Sequence, residues 1–336
     1  MMISVLRRFG WCAVLAMLAV FPVSLGAQSC QIAADLDDAT RVAISAAGQR
    51  YFDMAAKGDV ASLRQSAIAS LAAAFAGPEA VVKGHQKDLA GAQATARPFF
   101  LLEAEGTAPL PHAEFYCGVF GKNGQTSGSA AFVLNNLPPG KYAVVVLDAK
   151  SPSARTTFSM ILQQAGVDWK LGDLYIESGA LGGHDSDWFT SRAREFRAKG
   201  QLHNAWFYFT QARSLMSPMP FMSTLASDKL YDESQSLQPA DVPVNGKTTD
   251  LVAGTSTYKL TAIFPQGVEN DLDLIVKYQA ADVSNTNLAF QNNVAVIKAL
   301  VAKYPEVRDA FAGVVARAVD PSGHDFGTLL AMKDVK

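Results

Sequence analysis

The stretch KYAVVVLDAKSPSARTTFSMILQQAGVDWKLGDLYI, residues 141–176, decides the fold class. It holds three apolar runs, 142–147, 157–163 and 169–176, each short and rich in β-branched or aromatic side chains. Turn signals at Ser151-Pro152-Ser153 and Gly166 separate them. Runs of that length with that punctuation read as strands joined by tight turns. Upstream, residues 99–102, 115–120 and 129–134 repeat the pattern, divided by Gly124 and Pro138-Pro139-Gly140. Further upstream the period changes to helical. Val42, Ala46, Phe52 and Met54 share a spacing that Gly58 terminates, and Asp59 is placed to cap a second helix through Val60, Leu63, Ile68 and Leu71. One further short helix is expected in the Ala- and Gly-rich residues 76–95. Helices followed by a multi-stranded antiparallel sheet make an α+β domain.

The ends of this domain carry a resemblance. Tyr51-Phe52-Asp53-Met54-Ala55-Ala56-Lys57-Gly58-Asp59 resembles the opening of the nuclear transport factor 2-like (cone) superfamily. The closing hairpin, residues 157–162 and 167–171, resembles it too. The resemblance covers residues 38–178, with 76–128 departing from the pattern. It implies a curved sheet wrapping a helix around an apolar pocket. Because that superfamily includes isomerases, dehydratases and domains without catalysis, the fold does not choose the function.

Past a Gly-rich hinge at residues 179–187, Phe189, Ala193, Phe196, Gly200, Ala205, Phe209 and Ala212 recur at fixed spacings. They resemble a single tetratricopeptide repeat over residues 186–218. Small residues there let two antiparallel helices approach while aromatics fill the space between them. A solenoid needs about three repeats, so the expectation is one helical hairpin packed on a neighbour, with Gln201 in its exposed turn. Trp206-Phe207-Tyr208-Phe209 points around the whole helix, so some of it must meet more than the hairpin partner. Docking on another part of the chain is one outcome. A candidate interaction surface at Trp206, Phe207 and Tyr208 is the other. Residues 219–247 read as a linker, with a short helix near Ser227 to Leu230, and residues 248–336 as a second α+β unit, β-β-α-β-β.

The N-terminus reads as an export signal. Arg7 and Arg8 precede an apolar stretch, and Ser24, Gly26 and Ala27 suit cleavage near residue 27. Pro22, Gly26, Gln28 and Ser29 argue against a membrane anchor, and no later stretch is apolar enough to span. The expected location is therefore extracytoplasmic, periplasmic or secreted, with no membrane span in the mature chain. Only Cys30 and Cys117 remain after the signal, and in an oxidising compartment such a pair is expected to form a disulfide. Lipidation of Cys30, and two free buried thiols, stay open as alternatives.

The 336 residues are 49% apolar and 18% charged, with a net charge of −2. That composition suits about two globular domains and excludes both disorder and the basic stripe of a nucleic-acid binder. None of the five histidines is spaced for a metal on one helix face, and His184-Asp185-Ser186-Asp187 is best read as a helix cap. No phosphate-binding loop, dinucleotide fingerprint or nucleophile elbow occurs, so neither cofactor nor metal is expected. Asp53, Glu103, Tyr116 and Asp148 are the positions where a cone-type enzyme would carry chemistry, yet each has a plainer reading as surface, sheet face, core or strand end. No catalytic residue is assigned. The expectation is a non-enzymatic exported scaffold that binds a protein or a small apolar ligand. The alternative is a cone-fold lyase or isomerase acting on a small apolar substrate.

Overall fold

The computed structural model describes residues 28–120, 124–152, 154–244, 246–268 and 271–336. The expected signal peptide, residues 1–27, lies outside them. The chain opens with strand β1 (Gln28–Ile32), followed by α1 (Asp38–Ala56), α2 (Val60–Gln65), α3 (Ala69–Ala73), α4 (Ala76–Gly84) and α5 (Gln86–Leu89). Local chemistry sets these boundaries. The Asp37 and Asp59 carboxylates accept from the backbone N–H of Thr40 and Ser62, satisfying donors that the first turns of α1 and α2 leave free. Gly58 takes the left-handed conformation (φ +70°) that ends α1.

Seven strands follow: β2 (Gln93–Ala96), β3 (Phe100–Ala104), β4 (Leu110–Cys117), β5 (Ala130–Leu137), β6 (Gly140–Lys150), β7 (Arg155–Ala165) and β8 (Asp168–Ser178). The main sheet has the order β1-β3-β6-β7-β8, with β2 also pairing β6. Alternation along its strands sends side chains to two faces. Ala143, Val145, Phe158, Met160 and Leu162 pack toward α1, against Tyr51 and Phe52. Tyr142, Val144 and Val146 face the other way, onto Phe115 and Phe132 of the paired strands β4 and β5. This sheet is buried on both sides, which is why β6 and β7 read as near-continuous apolar runs. Cys30 in β1 and Cys117 at the end of β4 are joined by a disulfide (Cα–Cα 5.1 Å), stapling the two stacked sheets at one edge.

The helical hairpin is α6 (Ser186–Ala198) and α7 (Leu202–Met216), turning at Gly200 (φ +76°). Asp185 caps α6 by accepting from the Trp188 N–H. Phe189, Ala193, Phe196, Ala205, Phe209 and Ala212 are buried between and beneath the helices. Residues 219–247, expected as a linker, contain strand β9 (Met222–Thr224) and helix α8 (Leu225–Gln235). β9 adds to β5, so this segment completes the smaller sheet of the first unit.

The C-terminal unit runs β10 (Thr249–Ala253), β11 (Ser256–Val268), β12 (Asp271–Gln279), α9 (Thr286–Lys303), β13 (Gly313–Val319) and β14 (Asp325–Ala331). It has one strand more than the expected β-β-α-β-β, because Thr249–Ala253 pairs with the start of β11. The sheet is ordered β10-β11-β12-β13-β14, with α9 making the crossover between the parallel strands β12 and β13. Its inner face, including Leu274, Val276, Tyr278, Val314 and Ala316, shares one core with the hairpin and with α9. His203 of α7 locks that junction. Its ring nitrogens lie 2.6 Å from Glu306 and 3.0 Å from Asp241, and the ring packs on Tyr304. Gln201 is not idle in the turn: its amide donates to Asp309 at 2.6 Å and accepts from Asn204.

Candidate functional site

The space between α1 and the main sheet, where a cone-type enzyme would hold substrate, is packed. Phe158 is 0% exposed and meets Phe52 edge-to-face at 5.4 Å, and Trp169 is 5% exposed in the same cluster. The four positions considered for chemistry lie elsewhere and apart. Asp53 is on the surface of α1, accepting from Gln49. Glu103 faces Lys141 on the sheet. Tyr116 is half-exposed on the smaller sheet, bonded to Glu114. Asp148 accepts both nitrogens of the Arg97 fork at 2.9 and 2.7 Å.

The candidate interaction surface is also corrected. Trp206, Phe207 and Tyr208 are 7%, 1% and 2% exposed, and all three belong to the core shared with the C-terminal sheet. Tyr208 donates its hydroxyl to the Ala310 carbonyl at 2.7 Å. The aromatic run meets its own chain and leaves no face for a partner.

The accessible architecture is the outer face of the C-terminal sheet, opposite α7 and α9. Strand register arranges it in rows. One row, across β11 to β14, is Phe264, Ile275, Val315 and Leu329. The next is Ala262, Lys277, Arg317 and Gly327, and the third includes Gln279, Val319 and Asp325. On the far side of the apolar row, Gln266, Asp273 and Gly313 are neighbours. Successive rows are about 7 Å apart, two residues along a strand. The face thus passes from a carboxyl, through an apolar stripe, to a pair of cations. Toward the sheet's edges it is bare, with Val252 at 66% and Leu329 at 49% exposure.

The polar end opens into a groove of about 800 Å³ lined by Thr257, Lys259, Lys277, Gln279, Asp320 and Asp325, among others. The cations of this sheet face differ in how they are satisfied. Lys259 pairs with Asp250 at 3.5 Å, and Arg317 pairs through Nη2 with Asp325 at 2.5 Å. Arg317 Nε is buried without a partner among the described residues. Lys277 has no ion pair among them and lies over the Phe264 ring, 5.6 Å from its centroid. Spare charged donors beside an apolar stripe suit an anionic group with an apolar body, because a buried donor left unbonded costs about 1–3 kcal/mol. At the other end Asp273 is 3% exposed, and burial, with Asp271 nearby, pushes its pKa up. The Gly313 N–H is its hydrogen-bond donor.

None of these residues was singled out from sequence. Lys277 and Arg317 are ordinary strand cations until parallel pairing across α9 sets them side by side. Among the described residues no group of three or more His, Cys, Asp or Glu side chains is disposed to hold a metal, and no helix is long and apolar enough to cross a membrane. Compared with protein-family models, curated proteins and solved structures, the chain finds no match in any of the three.

Proposed function

We propose that this chain is an exported, non-catalytic scaffold that binds a small amphipathic anion on the outer face of its C-terminal sheet. Residues 38–178 serve as a cone-type frame and residues 186–218 as a single tetratricopeptide-type hairpin that fixes the C-terminal sheet. The observation that carries the reading is the row of Lys277 and Arg317, with donors unspent, directly beside Phe264, Ile275, Val315 and Leu329. A carboxylate or similar head would sit on the cations while an alkyl or aromatic body covers the stripe. The Cys30–Cys117 disulfide supports a location outside the cytoplasm. A lyase or isomerase reading would need an ionisable group inside the space under α1, and the positions considered for one lie outside it.

The test is titration of the full chain with decanoate and, separately, decanol. Decanoate should bind saturably and about tenfold more tightly than decanol, the difference expected for one charge-assisted contact. Lys277→Ala should remove that preference. Equal binding of the two probes, or a Lys277→Ala chain that keeps the preference, defeats the assignment.

A further inference from the structure

A second cavity, of about 510 Å³, opens between α7, β9 and α8. Its charges are unusual because two opposite ones face the same space without pairing. Arg213 of α7 is half-buried, and its guanidinium carbon lies 4.4 Å from the centroid of the Tyr231 ring. Its one hydrogen bond among the described residues is from Nη1 to the Ser234 hydroxyl at 3.4 Å, and it has no ion pair among them. Burial disfavours its charge and lowers its pKa. Keeping a cation partly out of water without a counter-ion is unfavourable, and a guanidinium is shaped to take a carboxylate through two N–H groups. Across the cavity, Asp228 in the first turn of α8 is exposed and has no ion pair or hydrogen bond among the described residues. The hydroxyls of Ser214 and Ser223 line the same space and likewise have no hydrogen bond among the described residues. Met222 and Tyr231 give it apolar wall.

We propose that this cavity binds a small zwitterion of amino-acid type, with its carboxylate on Arg213 and its ammonium on Asp228. A simple oxyanion would satisfy Arg213 but place a second negative charge before Asp228. A simple amine would leave the guanidinium as it is. A dipolar molecule answers both, and the hydroxyls can serve either end. The volume lies within the range of about 300–1,000 Å³ that small-molecule sites occupy. The site rests on side chains separate from the sheet face proposed above, and either assignment can fail without the other. It also joins the two halves of the molecule, since β9 belongs to the smaller sheet of the first unit and α7 to the C-terminal core.

Calorimetric titration of the full chain with alanine and leucine, and with acetate, ethylamine and inorganic phosphate as single-charge controls, decides it. The amino acids should bind saturably, and each control about tenfold or more weakly, the loss of one charge-assisted contact. Asp228→Asn, an exposed change whose unliganded thermal midpoint verifies folding, should weaken amino-acid binding about tenfold and leave acetate no weaker, since it removes the like charge that acetate faces. Arg213→Lys should weaken amino acids and acetate together, while Lys277→Ala should change neither. Acetate or phosphate binding as tightly as an amino acid overturns the proposal, as does an Asp228→Asn chain that still binds normally. Absence of saturable binding by either amino acid overturns it as well.

Discussion

The two large sheets are built from similar strands and end in opposite situations. In β6, Tyr142 through Leu147 are buried without a break, because α1 covers one face and β4–β5 the other. In the C-terminal sheet the helices cover one face; of the outward positions Asp273 and Ile275 are buried, whereas Lys277 and Arg317 are half-exposed and Val252 and Leu329 exposed. A sheet buried on both sides is a frame with no room for a ligand. One buried on a single side offers a patterned surface on a rigid support. The difference moves the binding role away from the unit whose resemblance suggested a pocket and toward the C-terminal unit.

That contrast can be attacked first through the disulfide, which belongs to the first unit alone. Its cysteines lie 87 residues apart, and a loop of that size corresponds to about 4–5 kcal/mol on the chain-entropy model. Replacing Cys30 and Cys117 by alanine should lower stability in guanidinium by that order, with strand exchange protection lost chiefly in β1 and β4. Binding of decanoate to the folded variant should persist. A variant that unfolds no earlier, or that loses decanoate binding while folded, would mean that the two sheets are not the separable devices described here.

The hairpin that joins them gives the next largest effect. Ala205 is 0% exposed at the helix crossing, whereas Ala198 lies on the exposed end of α6. Ala205→Leu should cost about 1–3 kcal/mol through overpacking, and Ala198→Leu should stay within about 0.5 kcal/mol. Thermal melts of the two variants are the measurement, and equal shifts would undo the packed-hairpin description.

A matched pair then compares the sheets directly. Val146→Thr places a hydroxyl between two covered layers, where Val146 is 2% exposed, and should cost about 1–3 kcal/mol. Val252→Thr makes the same change at a site 66% exposed on the bare face and should shift stability by less than about 0.5 kcal/mol. Denaturant midpoints resolve the pair. Similar costs would show that the outer face is covered in solution.

How much of this was legible beforehand depends on range. The strands at 142–176 announced themselves because their turns are local, and Asp59 and Gly58 marked a helix boundary because caps are local too. The density of Trp206-Phe207-Tyr208 showed that a partner surface existed, but only the fold shows it to be the chain's own C-terminal core. His203 joins Asp241 and Glu306, which lie 38 and 103 residues away, so a search for short helical spacings passes over it. The outer-face rows were hidden by a bulge between Leu260 and Ala262. Because of it, Lys259 and Ala262 lie on one face although they are three positions apart in sequence, and simple alternation misassigns half of β11. Strands β9 and β10 are three and five residues long, too short for a period to show.

The smallest effect tests the acidic end of the bare face. Asp273 is 3% exposed, and its pKa is raised from the ordinary 3.8, chiefly because burial penalises the carboxylate. A raised folded-state pKa means that the folded chain holds this proton more tightly than the unfolded one. Well below pH 3.8 both states are protonated and nothing is lost. As pH rises through the carboxylate range the unfolded chain ionises first, and stability falls until Asp273 itself ionises. At neutral pH this residue therefore subtracts from stability, unlike Asp37 and Asp59, whose caps lower their pKa values. Asp273→Asn keeps an oxygen for the Gly313 N–H and removes the charge, so it should raise the thermal midpoint at pH 7. The gain should shrink toward zero as pH approaches the range below 4, where parent and variant carry the same charge at this position. A variant less stable than the parent at pH 7 would show that the carboxylate is satisfied where it lies. The gradient from acid to cation along the bare face would then have no energetic cost at its acidic end.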